Sequence, residues 1–125
     1  MNTKSIPPEK PFRVEVDITS ATPIYTYYNR RGVNCDGSVS VTEANTAVSY
    51  SLINNTNNLI FAAPIIEAED PSDLTILISN NQQTITFYDK DLTNESVCIK
   101  LVVVKATEPT QPYVSLDPIM RNVPN

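Results

Sequence analysis

Carboxylates form one group of residues whose types and spacing suggest chemistry. Glu67, Glu69, Asp70 and Asp73 fall within seven residues, and hard cations such as Ca²⁺ take several oxygen ligands from a flexible loop of this kind. The spacing differs from that of an EF-hand, and the Asp70-Pro71 step is also typical of a solvated turn. The segment is therefore either a calcium-binding loop or an ordinary acidic connection, and we assign no cofactor.

Aromatic and cationic side chains meet in a second segment, which runs from Tyr25 to Arg31. In a strand, Tyr25 and Tyr27 share one face and Tyr28 lies on the other. Tyr rings stack on sugars or bases, and Tyr with Arg anchors many protein partners. Packing of one face in the core explains the same pattern. Tyr25, Tyr27, Tyr28 and Arg30 are therefore candidate ligand-binding residues, with a core role as the alternative.

A third group holds paired carboxylates beside a cation. Asp89, Asp91 and Glu95 surround Lys90, and paired carboxylates serve general acid and base roles in some enzymes. An exposed turn explains the same residues more simply. No nucleophile and base pair can be named from them.

The residue types that are missing exclude several classes of site. The chain has 125 residues, no His, two Gly and two Cys. A His-based catalytic triad, a His-liganded metal, a Gly-rich phosphate loop and a four-Cys zinc site all lack their residues. We therefore expect a binding protein rather than an enzyme.

The charge balance and the apolar runs limit the partners. The net charge is −5, which disfavours nucleic acid because affinity for phosphate polymers needs a concentrated basic surface. The longest apolar runs, 59–66 and 101–104, are shorter than the roughly 20 residues that span a bilayer, so we expect no membrane contact. The first residues lead into prolines and Glu9 rather than an apolar stretch. We expect a cytoplasmic protein whose Cys35 and Cys98 are more often reduced than bridged.

Alternating apolar and polar residues predict strands along most of the chain. Residues 12–18 place four apolar side chains on one face and three charged ones on the other. Asn80-Asn81 joins two such runs into a hairpin. Val41, Ala44, Val48 and Leu52 also fit a helical spacing, so that stretch stays ambiguous. The other predicted strands are 24–29, 39–41, 47–53, 59–63, 74–79, 84–88 and 97–106, with a short edge strand at 112–118.

The strand predicted at 97–106 is apolar on both faces. One face carries four apolar residues that should enter the core, and Val102 and Val104 lie on the opposite face. Antiparallel sheets normally keep one polar face. The second face therefore either lies under a loop or tail or meets another subunit, which makes Val102 and Val104 candidate interface residues.

These elements predict one all-β domain. Seven or eight short strands with turns near every tenth residue indicate an antiparallel immunoglobulin-like β-sandwich, and a closed barrel is the alternative. We place the domain at residues 11–120, with flexible tails at 1–10 and 121–125.

The carboxyl-terminal third resembles a known family. A strand at 97–106, then Thr107-Glu108-Pro109, the segment 113–118 and the stretch 121–124 are similar to the signature of the DP-EP family. The segments 38–42, 49–53 and 83–87 are similar as well. The resemblance implies a bacterial, single-domain protein, and the family supplies no catalytic residues to carry over.

Two functions follow as expectations. The first is a protein-interaction or self-assembly module that uses the second apolar face of 97–106 or an exposed strand edge. The second is a carbohydrate-binding module that uses the tyrosines, with Ca²⁺ held by the acidic loop.

Overall fold

The computed structural model describes residues 9–41, 45–67, 74–89, 95–116 and 119–122. These ranges are all-β and contain thirteen strands. They hold no helix of the length and apolarity that crossing a membrane requires. The strands are β1 (Glu9–Asp17), β2 (Ile24–Tyr28), β3 (Asn34–Cys35), β4 (Val39–Val41), β5 (Thr46–Leu52), β6 (Leu59–Phe61), β7 (Ile65–Glu67), β8 (Leu74–Ile78), β9 (Thr84–Asp89), β10 (Glu95–Lys100), β11 (Val102–Lys105), β12 (Glu108–Val114) and β13 (Ile119–Asn122).

The largest sheet has six strands in the order β3-β2-β1-β5-β9-β8. Its strands alternate in side-chain direction, so that β1 buries Val14 and exposes Arg13 and Asp17. The central pair, β1 and β5, is parallel, with Phe12 opposite Tyr50, and the other pairs in this sheet are antiparallel. Parallel pairing needs a long connection, and here the chain passes through β2, β3 and β4 between the two strands.

The two smaller sheets meet where β10 passes into β11. The four-stranded sheet has the order β4-β13-β10-β7, and the three-stranded sheet has the order β12-β11-β6. Between β10 and β11, Leu101 leaves the ladder, but its backbone stays hydrogen-bonded. The Leu101 N–H donates to the buried Ser115 Oγ at 2.8 Å, and the Ser115 N–H donates to the Leu101 carbonyl at 2.9 Å. Ser115 therefore satisfies the polar groups that the break would leave unpaired.

One hydrophobic core draws on all three sheets. From the six-stranded sheet it takes the inward residues of β1, β2, β5 and β9, and from the smaller sheets the inward residues of β4, β6, β10 and β11. Burial of such side chains is the main favourable term in folding. The buried core residues are Val14, Tyr27, Val41, Val48, Tyr50, Leu59, Phe61, Ile85, Phe87, Val97, Ile99, Leu101 and Val103.

The all-β prediction is confirmed, while the predicted strand number and the purely antiparallel arrangement are wrong. The predicted strand 97–106 is two strands because Leu101 breaks it. The predicted strand 59–63 is β6, and β7 follows Pro64 where no strand was predicted. Two pairs, β1 with β5 and β13 with β4, are parallel. The helical reading is wrong for Thr46–Leu52, which forms β5, and residues 42–44 lie outside the described ranges. Residues 9–10 and 121–122 belong to β1 and β13.

Asparagines and glycines supply most of the left-handed turn positions in the described ranges, and Gln82 at φ 58° supplies one more. Asn45, Asn54 and Asn58 have φ values of 61°, 50° and 52°, a region that Asn tolerates better than other side-chain-bearing residues. The hairpin between β8 and β9 forms as predicted, with Ile76 opposite Phe87.

Gly37 closes the loop before β4 by lying directly on an aromatic ring. Its φ is +78°, and a Cβ built there would stand 2.8 Å from Cγ of Tyr27. The Gly37 carbonyl accepts a 2.7 Å hydrogen bond from the hydroxyl of Tyr50, which is 1% exposed. No residue with a side chain fits this position without moving Tyr27.

We predict that Gly37→Ala destabilises the protein strongly. Left-handed strain together with the contact on Tyr27 should lower the free energy of unfolding by about 2–5 kcal/mol. Gly32→Ala is the matched control, because Gly32 has φ +79° and no heavy atom within 4 Å of an added Cβ. Urea unfolding of both variants measures the difference, and equal losses would contradict the role given to Tyr27.

We also predict that Tyr50 makes stability fall at alkaline pH. Burial, and secondarily its neighbours Tyr27, Cys35 and Asp36, raises the pKa of Tyr50 above its ordinary value. Since the folded pKa is the higher one, this contribution is complete below the unfolded value of about 10. It is lost at about 1.4 kcal/mol per pH unit above that value.

Tyr50→Phe should remove this loss of stability at alkaline pH, and it should keep the contacts of the aromatic ring. At neutral pH it should cost about 1 kcal/mol for the hydrogen bond to Gly37. Urea unfolding across a pH series above neutrality compares the slopes, and identical slopes for the two proteins would show that Tyr50 does not carry the effect.

Candidate functional site

The candidate tyrosines of the segment from Tyr25 to Arg31 lie on both faces of β2. Tyr27 points inward, is 5% exposed and belongs to the core. Its ring stacks on Tyr25 with centroids 6.4 Å apart and meets Tyr50 edge-on at 5.9 Å. Tyr27 therefore has the core role that the sequence left as the alternative.

Tyr25 uses its hydroxyl within the fold. The hydroxyl donates a 2.6 Å hydrogen bond to the carbonyl of Tyr113 in β12. Burial raises the pKa of Tyr25 far above its ordinary value, and the neighbouring Tyr27 adds to this effect. The phenol is therefore neutral in the folded protein, and it fastens the six-stranded sheet to the three-stranded sheet.

A cleft of about 330 Å³ opens beside these two rings. Its rim carries Ile24 and Leu116, which are 51% and 75% exposed. Its ionisable groups other than the two tyrosines are Cys35 and Asp36. Polar and apolar side chains both line the cleft, and they are Thr22, Pro23, Ile24, Tyr25, Tyr27, Cys35, Asp36 and Leu116.

Tyr28 and Arg30 lie away from that cleft. Tyr28 alternates with the buried Tyr27 and pairs with the exposed Arg13 on the outer face of the sheet. Arg30 sits in the following turn, where its Nη2 donates to the Glu9 carbonyl at 3.3 Å. The structure thus brings Tyr25 and Tyr27 together but gathers the four candidate residues into no single site.

Val102 and Val104 are buried, with 7% and 5% of their surface exposed. Both side chains on the face opposite the predicted core are therefore covered within the single chain. Val102 and Val104 are not available as a free interface in the isolated chain. The alternation of apolar residues identified the two faces of this strand but did not show what covers the second.

Most of the acidic candidates fall outside the described ranges. Glu67 is the exposed last residue of β7, opposite Cys98 in β10, whereas Glu69, Asp70 and Asp73 are not described. Lys90 and Asp91 also lie outside, and Asp89 and Glu95 end β9 and begin β10. Across the described residues, no group of three or more Asp, Glu, Cys or His is placed to hold a metal ion.

The two cysteines are separate thiols. Cys35 lies in β3 and Cys98 in β10, and both are free and half-buried. No disulfide therefore joins Cys35 to Cys98 in this structure.

A sheet edge that is unpaired among the described strands is a further candidate feature, which no single candidate residue identified. β8 is the last strand of the six-stranded sheet and pairs only with β9 among the described strands. Leu77 points outward from it and is 55% exposed. The uncharged run Leu-Thr-Ile-Leu-Ile was visible in the sequence, but its place at an edge depends on strand order, which alternation does not give.

The sequence matches a known protein family. The sequence model of the DP-EP family matches residues 9–124, and no curated protein matches the chain. The matched range covers every described strand, including β12, which begins at the Glu108-Pro109 step that carried the resemblance. The chain therefore belongs to the DP-EP family.

Proposed function

We propose that this protein is a non-enzymatic assembly module that pairs with a second copy of itself through β8. The observation that carries the proposal is an uncharged edge strand that is unpaired on one side among the described strands and carries one exposed leucine, Leu77. An edge strand presents unpaired backbone N–H and C=O groups that a further strand can complete.

β8 differs from the other edge strands in the described part of the chain. β3 has two residues, and β4, β6 and β7 have three each. β12 has seven residues but contains Pro109 and Pro112, which lack the N–H that a pairing strand needs. β8 has five residues without proline or charge. Proteins normally protect such an edge with a charge, a proline or a short strand, and β8 has none of these.

The register of β8 is self-complementary. If two copies pair antiparallel about Ile76, Leu74 meets Ile78 of the other copy on the inner face. On the outer face Thr75 then meets Leu77. Both pairs join side chains that suit a pleated surface, and no like charges oppose each other. A two-fold interface requires this property, because each residue must suit its own symmetry partner.

We also propose that the sheets form an immunoglobulin-like sandwich. The core supports this arrangement, because Val14, Val48 and Phe87 of the six-stranded sheet pack in one cluster with Phe61, Ile99 and Val103 of the smaller sheets. In such a sandwich β8 would lie at the margin of one layer, with its open edge facing away from the core.

We predict that Leu77→Lys converts a dimer into a monomer. The lysine adds a charge to an edge that the second copy must approach, and desolvating it would oppose pairing. Size-exclusion chromatography with light scattering, run across a wide concentration range, should give a dimer mass for the native chain and a monomer mass for the variant.

Val33→Lys is the matched control. Val33 is 56% exposed against 55% for Leu77, but it lies in the turn after β2. It should keep the dimer mass. A native chain that is monomeric at every concentration, or a Val33→Lys variant that dissociates as readily as Leu77→Lys, would overturn the proposal.

A further inference from the structure

Four cations are concentrated in one region of a chain whose net charge is −5. Lys10 and Arg13 lie in β1, and Arg30 and Arg31 lie in the turn that follows β2. The pairing of β1 with β2 puts Arg13 opposite Tyr28, two residues before Arg30. The antiparallel register therefore brings two separate pairs of cations to the same end of the sheet.

The turn that carries Arg30 is held by its own hydrogen bonds. The Asn29 side-chain oxygen accepts from the N–H groups of Arg31 at 2.9 Å and Val33 at 3.1 Å. The Asn29 carbonyl accepts from Gly32, and the Asn29 N–H donates to Val33. Arg30 then reaches across to the Glu9 carbonyl, so its guanidinium is positioned before any ligand arrives.

Arg30 stands between two clefts. The larger, of about 430 Å³, is lined by Lys10, Phe12, Arg30, Ser38, Val39 and Ser40 together with Glu9, Pro11 and Asn29. The smaller, of about 170 Å³, is lined by Arg13, Ser51 and Ile53 together with the shared residues Pro11, Phe12, Asn29 and Arg30. Phe12 contributes to both clefts, and its ring stacks on the buried Tyr50 at 5.2 Å. The apolar surface between the cations is therefore fixed to the core.

The cations around these clefts have no carboxylate partners in the described part of the chain. The ion pair found there is Lys105 with Glu108, in the three-stranded sheet. Glu15, the acid next along β1 from Arg13, accepts a 2.6 Å hydrogen bond from Asn54. Glu9 is the one carboxylate among the residues that line the clefts, and it is exposed.

We propose that the two clefts around Arg30 bind a short acidic peptide segment of a protein partner. Carboxylates would meet Arg30 and Lys10, since a guanidinium matches a carboxylate through two parallel hydrogen bonds. An apolar side chain of the same peptide would lie on Phe12 and Val39, while Ser38, Ser40 and Asn29 offer hydrogen bonds to its backbone.

A peptide fits the region better than a long polyanion. The cationic region is short and the rest of the chain is acidic, so a polymer extending past the clefts would be repelled. The apolar surface of Phe12 and Val39 would also add nothing to the binding of a small inorganic anion, which has no apolar part. This site goes beyond the proposed assembly function, because it lies on β1 and β2 and β8 is the far edge of that sheet.

The test uses a fluorescein-labelled short peptide of alternating Glu and Val, with binding followed by fluorescence anisotropy. We expect saturable binding that weakens as salt is added, and no binding of the same peptide with Gln in place of Glu. Arg30→Gln and Lys10→Gln should each weaken binding about tenfold, as the loss of a charge-assisted hydrogen bond does. Glu9→Gln should tighten binding severalfold, because it removes the carboxylate at the rim.

Arg31→Gln is the matched control. It removes the same charge from the adjacent position, but Arg31 lines neither cleft, so its effect should stay below about twofold in line with a screened surface charge. Thermal unfolding of each variant checks that the fold is intact.

Three results would overturn this proposal: equal losses for Arg31→Gln and Arg30→Gln, equal binding of the Gln peptide, or displacement of the peptide by an equal concentration of inorganic phosphate. The Leu77→Lys variant separates the two proposals. It should bind the peptide as the native chain does, and if it loses the peptide site, the clefts do not form an independent site.

Discussion

The hydrogen bond from Tyr50 to the Gly37 carbonyl is the interaction on which the rest of the structure depends. The Tyr50 ring contacts Phe12 of β1, Tyr27 of β2 and Phe87 of β9, so one side chain on β5 joins four strands of the six-stranded sheet. Its hydroxyl would be costly to bury without a partner. Gly37 supplies that partner and at the same time turns the chain toward β4, which pairs with β13 in another sheet.

This arrangement explains why Tyr25 and Tyr27, two of the candidate ligand-binding residues, pack within the fold. A strand that places Tyr25 and Tyr27 on one face presents both rings to the same neighbour, and here that neighbour is the core. The hydroxyls of Tyr25 and Tyr50 each donate to a backbone carbonyl of a different segment. The hydroxyls thus join sheets and loops that apolar packing alone would hold with less precise register.

Local patterns in the sequence predicted the local structure and little beyond it. Alternation placed Val97, Ile99, Leu101 and Val103 on one face, and all four are in the core. It could not show that Leu101 leaves the ladder, because that depends on a hydrogen bond with Ser115 from a distant segment. Three other features depend on strand order in the same way. They are the parallel pairing of β1 with β5, the burial of Val102 and Val104, and the position of Lys10 and Arg30 in one cleft.

The order of strands also explains how the edge and the clefts can act separately. Neighbouring strands lie about 4.8 Å apart, and three other strands, β1, β5 and β9, separate β8 from β2. Arg30 and Arg31, which follow β2, are therefore roughly 19 Å from β8 across the sheet, and Lys10 and Arg13 in β1 are roughly 14 Å from it. Both separations exceed the Debye length of about 8 Å at physiological salt. Their charge cannot protect the β8 edge by repulsion. The five residues of β8 themselves carry no charge. The strand order therefore keeps the proposed peptide site and the proposed pairing edge electrostatically separate.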